Sequence, residues 1–293
     1  MNSPLMTTRE VAEYLNLKER KLYDMVAQDQ IPCVRVSGKW LFPRELIDNW
    51  LLSNRHGPSV GDQHRRPAVV SGSHDPLLDW ALRESGCGLA QRFESSQHGL
   101  DCFDQQASIM TGLHLRDNDG IYNRQLVAHR FASQAVVLLH WAVRQQGLIV
   151  PPDNPQKIQS LADATKHRFA LRQSGAGSYQ LLQALMRDAG IGLDIAERAA
   201  GVYRSEQDAA LAVAEGVAEV SMGLATVAKQ LRLHFIPLST EQFDLLIWRR
   251  EYFEQPLQDF IKFCQSEAFK DRAEQLGGYD LSEHLSIRYN STV

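Results

Sequence analysis

The sequence predicts a mixed α/β chain in two parts: a small module of helices around one hairpin, then a larger domain of alternating strands and helices. Three observations predict it. The 293 residues suffice for about two domains, and at 44% hydrophobic and 23% charged they supply ample core. Within residues 5–53 the apolar spacing is helical twice, alternating around Ser37-Gly38, then helical again. From Pro67 on, short apolar runs end in Ser- and Gly-bearing loops that open amphipathic stretches. The clearest is Leu171-Arg172-Gln173-Ser174-Gly175-Ala176-Gly177-Ser178, between the apolar run Phe169–Leu171 and the amphipathic run Tyr179–Ala189. Glycines let backbone approach a bound group, and a helix N-terminus offers free N–H donors and partial positive charge to an anion.

In the N-terminal module Thr8 is placed to cap a first helix, with Val11, Ala12 and Leu15 inward. A second helix, Glu19 to Gln28, buries Leu22, Met25 and Val26 and leaves Arg20, Lys21 and Tyr23 outward. Ile31 to Val36 and Lys39 to Phe42 form a hairpin. Pro43 opens a third helix, packed through Leu46, Ile47 and Trp50. This is a winged helix-turn-helix over residues 1–53. Its second helix is sized for the major groove, and its wing lays Arg35 and Lys39 along phosphates. Tyr23 serves equally as a core aromatic, and the same surface could serve protein contacts. Thr8-Arg9-Glu10-Val11-Ala12, Arg20-Lys21-Leu22-Tyr23, Ile31-Pro32 and Arg35-Val36-Ser37-Gly38-Lys39-Trp40 resemble excisionase and MerR-like DNA-binding modules. The resemblance implies contacts to double-stranded operator DNA.

Residues 54–66, polar and bearing Gly57 and Pro58, read as a linker in which His56 and His64 are solvated. Beyond it, Ala68–Val70, Leu89–Phe93, Ser108–Met110, Ala135–Val143, His167–Leu171, Glu197–Tyr203 and Glu219–Gly223 read as strands. Leu233–Leu238 and Phe243–Trp248 read as two more, and Thr111–Asp117 as a polar loop. Helices follow Asp75-Pro76, Ser95-Ser96 and Ser205, further ones are expected at Tyr122–Arg130, Ile158–Ala164 and Leu224–Leu231, and helices over Gln255–Cys264 and Glu267–Gln275 close the fold.

Three strand ends carry serine and glycine: Ser71-Gly72-Ser73, Ser95-Ser96 and Ser174 to Ser178. Each serine alone suits a helix cap; together at strand carboxyl ends they suit a pocket for a small anion. Residues 67–293 resemble the type II periplasmic-binding-protein fold, in the branch similar to molybdate-binding proteins. The segments that carry this include Ser71-Gly72-Ser73-His74-Asp75-Pro76, Gly112-Leu113-His114-Leu115, Arg144 to Pro152, Arg172 to Ser178, Met222-Gly223-Leu224-Ala225 and Phe235-Ile236-Pro237-Leu238. The resemblance implies lobe I at about 67–145 and 238–293, lobe II at about 146–237, and crossovers near 145–150 and 234–240 that close like a hinge. It implies ligand contacts from Ser71, Ser73, His74, Ser95, Ser96, His114, Arg172, Gly175, Gly177, Ser178 and Met222. The loop Ser174-Gly175-Ala176-Gly177-Ser178-Tyr179 lacks a hydroxyl and two positive charges of the family pattern, so molybdate or tungstate stands beside a small carboxylate or other metabolite. His74 and His114 serve equally as structural histidines, and Trp80, Trp141 and Trp248 read as core.

The net charge of -4 gives no bulk attraction to nucleic acid, but residues 1–66 carry 10 Lys and Arg against 8 Asp and Glu, the rest 21 against 27. Cys33, Cys87, Cys102 and Cys264 form no CxxC pair and read as free thiols. No stretch reads as a signal peptide or bilayer span, so a cytoplasmic chain with no membrane partner is expected. No cofactor or metal is expected, nor catalysis: Ser73-His74-Asp75 are sequence neighbours, which does not make a triad, and no Gly-x-Ser-x-Gly elbow occurs. The expectation is a ligand-responsive transcription regulator acting as a homodimer; a cytoplasmic anion-binding protein is the alternative.

Overall fold

A computed structural model describes residues 5–53, 66–117, 120–192 and 194–292. The expected linker, with His56 and His64, lies outside the described residues except for Arg66. The chain divides into two compact units, Met1–Arg65 and Arg66–Val293.

The first unit is a three-stranded sheet with three helices. Strands β1 (Leu5–Thr7), β2 (Val34–Val36) and β3 (Lys39–Pro43) lie in the order β1-β3-β2, all antiparallel. The helices are Thr8–Tyr14, Glu19–Ala27 and Arg44–Ser53. Strand β1 was not legible as a strand, and it moves the first helix cap from Thr8 to Thr7. The Thr7 hydroxyl accepts from Glu10 N while the Glu10 carboxylate accepts from Thr7 N, a reciprocal capping box. Between β2 and β3, Ser37 and Gly38 both take positive φ (49° and 83°), the backbone a two-residue hairpin turn requires. The core is Val11, Leu22, Met25, Val26, Ile31, Phe42 and Ile47. Of the three residues expected inward, Leu46 is 46% exposed, Ile47 is core, and Trp50 packs against that core and donates its Nε1–H to Gln30 O.

The second unit is built on two 15-residue strands. In chain order its strands are β4 (Val69–Gly72), β5 (Ala90–Phe93), β6 (Met110–Leu113), β7 (Val136–Val150), β8 (Phe169–Arg172), β9 (Ala199–Tyr203), β10 (Val220–Leu224), β11 (His234–Trp248), β12 (Tyr279–Asp280) and β13 (Ile287–Asn290). The sheet order is β5-β4-β6-β11-β7-β10-β8-β9. Strands β7 and β11 pair antiparallel from His234↔Val150 to Trp248↔Val136, with irregularities at Pro237/Ser239 and Phe243/Asp244. The ribbon thus belongs to two half-sheets. One half carries β6, β4 and β5 beside β11, the other carries β10, β8 and β9 beside β7. The short strands β12 and β13 fill the remaining edge of β7, at Val143–Arg144 and Val137–Leu139.

Several sequence readings are corrected here. The two apolar runs at 233–238 and 243–248 are one strand, and the strand from Ala135 continues to Val150. Thr111, Gly112 and Leu113 are strand, not loop. The fold ends on β12 and β13 rather than on helices. Each half-sheet has apolar packing on both faces: one half buries clusters around Trp141 and around Phe103, Phe131 and Trp248, the other around Phe169 and around Ala210 and Val227. Trp141 and Trp248 are core, and Trp80 packs half-buried against Phe263. The four cysteines are free. Among the described residues no helix is long and apolar enough to cross a membrane.

Candidate functional site

Four helices of nine residues or more begin at one cavity, two from each half-sheet. Pro76–Glu84 starts with proline at its first position after Asp75, whose Oδ1 accepts from Leu78 N at 2.7 Å. Ser96–Asp104 is capped by Ser95, whose hydroxyl accepts from His98 N at 3.2 Å. Gly177–Asp188 follows Ala176, and Glu206–Ala214 is capped by Ser205. No side chain caps Gly177–Asp188, so its first N–H groups keep their donors for a ligand. The cavity is lined by Ser73, His74, Pro76, Phe93, Glu94, Ser95, His114, Arg172, Ala176, Gly177, Ser178, Arg204, Ser205, Glu206, Leu224 and Val227. Its volume of about 50 Å³ holds roughly three to five waters, the size of a small oxyanion. The Ser178 hydroxyl is buried and has no protein partner; neither has Arg172 Nε, whose Nη1 donates to Tyr203 O at 2.8 Å. Burial lowers the pKa of Arg172 against the raising effect of Glu206 and Asp208.

Beneath the cavity runs a buried polar chain. Trp141 Nε1 donates to Asp75 Oδ1 at 3.0 Å and Arg144 Nη1 to Asp75 Oδ2 at 3.0 Å. Arg144 Nη2 donates to Glu241 Oε1, which also accepts from Gln146 Nε2 at 3.1 Å. Glu241 Oε2 lies 2.8 Å from His114 Nδ1, and His114 Nε2 lies 3.0 Å from Ser73 Oγ. Ser73 and Ser96 hydroxyls are 2.8 Å apart, and Ser96 Oγ accepts from His114 N at 3.1 Å. Burial works against the charge of Glu241, but Arg144, His114 and Gln146 outweigh it and hold the carboxyl down to about 2. The Arg144 guanidinium stays charged between its two carboxylates despite burial.

His114 closes the floor from the other side. Its ring meets the backbone of Gly177, where a Cβ would stand 2.4 Å from Cε1. Past this contact a second cavity of about 220 Å³ opens, lined by Arg116, Tyr122, Gln180, Gln183 and Arg187 together with His114 and Glu241. The Tyr122 phenol there is raised by burial and by Glu241. Among the described residues no group of three His, Cys, Asp or Glu could hold a metal ion.

Of the eleven expected pocket residues, Ser73, His74, Ser95, His114, Arg172, Gly177 and Ser178 line the cavity. Ser96 stands one hydrogen bond behind it. Three do not belong. Ser71, on a strand paired on both sides, is buried, bonded to Ser108 Oγ at 2.8 Å and Gly99 O at 3.2 Å. Met222 packs into the core with Leu148 and Phe169. Gly175 does not line the cavity, and a Cβ there would meet nothing within 4 Å; the glycine under steric demand is Gly177. Missed were Glu94, Arg204, Ser205 and Glu206 around the cavity and Glu241 below it. Ser205 had the same signal as the serines that were found, a hydroxyl at a strand end opening a helix. Glu241 had none.

In the first unit Arg20, Lys21 and Tyr23 lie exposed on Glu19–Ala27, with Tyr23 49% exposed rather than in the core. Arg35 and Lys39 are exposed on the wing, the Arg35 guanidinium 5.3 Å from the Trp40 ring centroid.

Comparison with known proteins agrees with this architecture. The chain is 23% identical over 292 residues to an uncharacterized protein of Bacillus subtilis (strain 168), YvgK, covering 94% of each. It is 35% identical over 72 residues to an uncharacterized protein from the 5′ region of a ferredoxin gene of Clostridium pasteurianum, covering 24% of this chain and 64% of that one. Among solved structures it is similar to a phosphate ABC transporter substrate-binding protein with bound phosphate from Clostridium perfringens, at a TM-score of 0.53 and 13% identity, covering 72% of this chain and 97% of that one. Residues 5–55 match the family model of a helix-turn-helix domain and residues 79–265, well over half the chain, that of the PBP superfamily domain. The chain belongs to the PBP superfamily and carries a helix-turn-helix domain ahead of its binding-protein fold.

Proposed function

We propose that this chain is a cytoplasmic transcription regulator that senses a small anion in the cavity between its half-sheets and binds operator DNA through its winged helix. The observation that carries the ligand class is the meeting of four helix N-termini on a small cavity. Each terminus contributes about half a positive charge, Arg172 and Arg204 offset the Glu94 and Glu206 carboxylates on the same lining, and the buried Ser178 hydroxyl has no protein partner. Molybdate, tungstate, sulfate, phosphate and small carboxylates are the candidates. The anion favours the state in which the half-sheets meet, and its differential affinity shifts the DNA-binding equilibrium of a homodimer. A melting-temperature screen over these anions tests the cavity, because a binder raises stability by mass action. Gel-shift titration with and without the binder tests the coupling. No operator binding by the full chain at any anion concentration would sink the regulator reading.

The Ser73–His114–Glu241 array favours a second reading, acyl hydrolysis. We rank it below sensing because the cavity lacks room for an acyl group and its leaving group together. Turnover of p-nitrophenyl acetate that disappears in Ser73→Ala would reverse that order.

A further inference from the structure

The hydrogen bonds around His114 determine where each nearby proton points. Glu241 Oε2 is a carboxylate oxygen, so the 2.8 Å contact requires a proton on His114 Nδ1. With the ring neutral, Nε2 is an acceptor, and the hydroxyl at 3.0 Å, Ser73, must donate to it. Ser73 has then spent its proton, so across the 2.8 Å contact Ser96 must donate to Ser73. Ser96 in turn accepts from His114 N at 3.1 Å. Ser73, the member of the pair that lines the cavity, thus keeps only lone pairs for anything in it. Protonating Nε2 reverses this: the ring now donates to Ser73, Ser96 still donates to it, and the Ser73 O–H is released for an acceptor in the cavity.

We infer that His114 couples anion binding to proton uptake, the proton arriving at Nε2 and the Ser73 O–H turning from the ring to the anion. This rests on the anion-sensing reading above. The charged and titratable groups around the ring come from several elements. Glu241 and, through it, Arg144 approach from the β7–β11 ribbon. His74, Glu94, Arg172, Arg204 and Glu206 share the first cavity with His114; Arg116, Asp117, Tyr122, Arg187 and Asp188 share the second. Of these, His74 is the other imidazole, exposed at the rim and without a hydrogen bond to the serine pair.

The test is titration calorimetry of the full chain with sulfate, molybdate, tungstate and acetate. It is run at about pH 6.5 and about pH 8.5, in buffers of different ionisation heat. These anions do not change charge over that range, so a measured proton comes from the protein. The expected result is uptake approaching one proton per site and a Kd that rises by up to tenfold per pH unit. In His114→Gln the uptake disappears and the affinity no longer depends on pH; in His74→Gln the uptake remains. Anion binding without proton uptake in the wild-type chain overturns this inference and leaves the sensing reading intact. Uptake lost in His74→Gln and kept in His114→Gln also overturns it. Binding of none of the four overturns this inference, and failure of phosphate and the other small carboxylates in the melting screen as well overturns the sensing reading with it. The wild-type measurement decides even where the His114 variant does not fold.

Discussion

Replacing Gly177 by alanine probes the junction of the half-sheets. A Cβ there would stand 2.4 Å from His114 Cε1, 2.8 Å from Nδ1 and 2.9 Å from Nε2. The ring cannot turn aside without losing Glu241 at 2.8 Å and Ser73 at 3.0 Å, and Phe243 stacks against it with centroids 5.8 Å apart. Overpacking of this kind costs about 1–3 kcal/mol. Gly177 opens a helix of one half and His114 follows a strand of the other. The cost therefore falls on the state in which the halves meet. An anion that requires this state loses roughly 5- to 150-fold in apparent affinity. The control is Gly175→Ala, two residues earlier, where a Cβ meets nothing within 4 Å and the effect should stay within about 0.5 kcal/mol. Calorimetric titration with sulfate or molybdate, alongside melting of the unliganded proteins, separates the two. Unchanged affinity in Gly177→Ala, or equal losses in both variants, would refute the reasoning.

Three further outcomes are expected. Ser178→Ala removes a buried hydroxyl that has no protein partner, so the unliganded chain melts no lower than wild type while anion affinity falls by about 1 kcal/mol, roughly fivefold; a lower melting temperature with unchanged affinity would contradict this. Arg35→Ala with Lys39→Ala removes two exposed wing charges, which flattens the salt dependence of operator binding by about 1.8 in log–log slope. Anion binding is unchanged in that variant, and equal loss of both activities would count against separate roles for the two units. Arg144→Met leaves Asp75 and Glu241 buried without their shared guanidinium and destabilises by about 3–5 kcal/mol. The Glu241 carboxyl is lowered from 4.5 to about 2, so its contribution is fully present above pH 4.5 and lost as pH falls toward 2. In the variant that loss begins at higher pH, and the acid-unfolding midpoint followed by circular dichroism rises; a midpoint that does not move would refute the assignment.

The local elements were legible wherever one physical signal dominated. The hairpin at Ser37-Gly38, the proline-led helix after Asp75 and the Ser205 cap each announce themselves in two or three residues. The long ribbon did not. Residues 144–146 and 239–242 are polar, and polarity inside an apolar run reads as a loop. Here those residues are strand, because Arg144 and Glu241 stand opposite each other in the β7–β11 register and satisfy one another in the interior. The middle of the ribbon carries this polar pair beneath the cavity, so the segment that most defines the architecture is the one periodicity reads as a break. Strands β1, β12 and β13 were missed for another reason. They are two to four residues long and owe their pairing to a neighbour, not to their own pattern.

The same distinction explains which site residues could be found. Serines and glycines at strand ends are visible because helix capping and tight turns need them locally, and seven of the eleven expected residues do line the cavity. Ser71 shares that local pattern but is buried against Gly99 and Ser108, a distinction that depends on which face is covered, and Met222, expected from the resemblance alone, is core. Glu241 lies 127 positions from His114 and sits in no motif. Its role comes from the ribbon bringing it under the cavity, and no local signal predicts that. Yet Glu241 determines the tautomer of His114, and that tautomer determines that the Ser73 hydroxyl donates to the ring rather than into the cavity. Finding the hydroxyls was a matter of local chemistry; the direction of their hydrogen bonds depends on a contact made across 127 positions. An anion site inferred from serines alone is therefore incomplete until the buried carboxylate behind them is known.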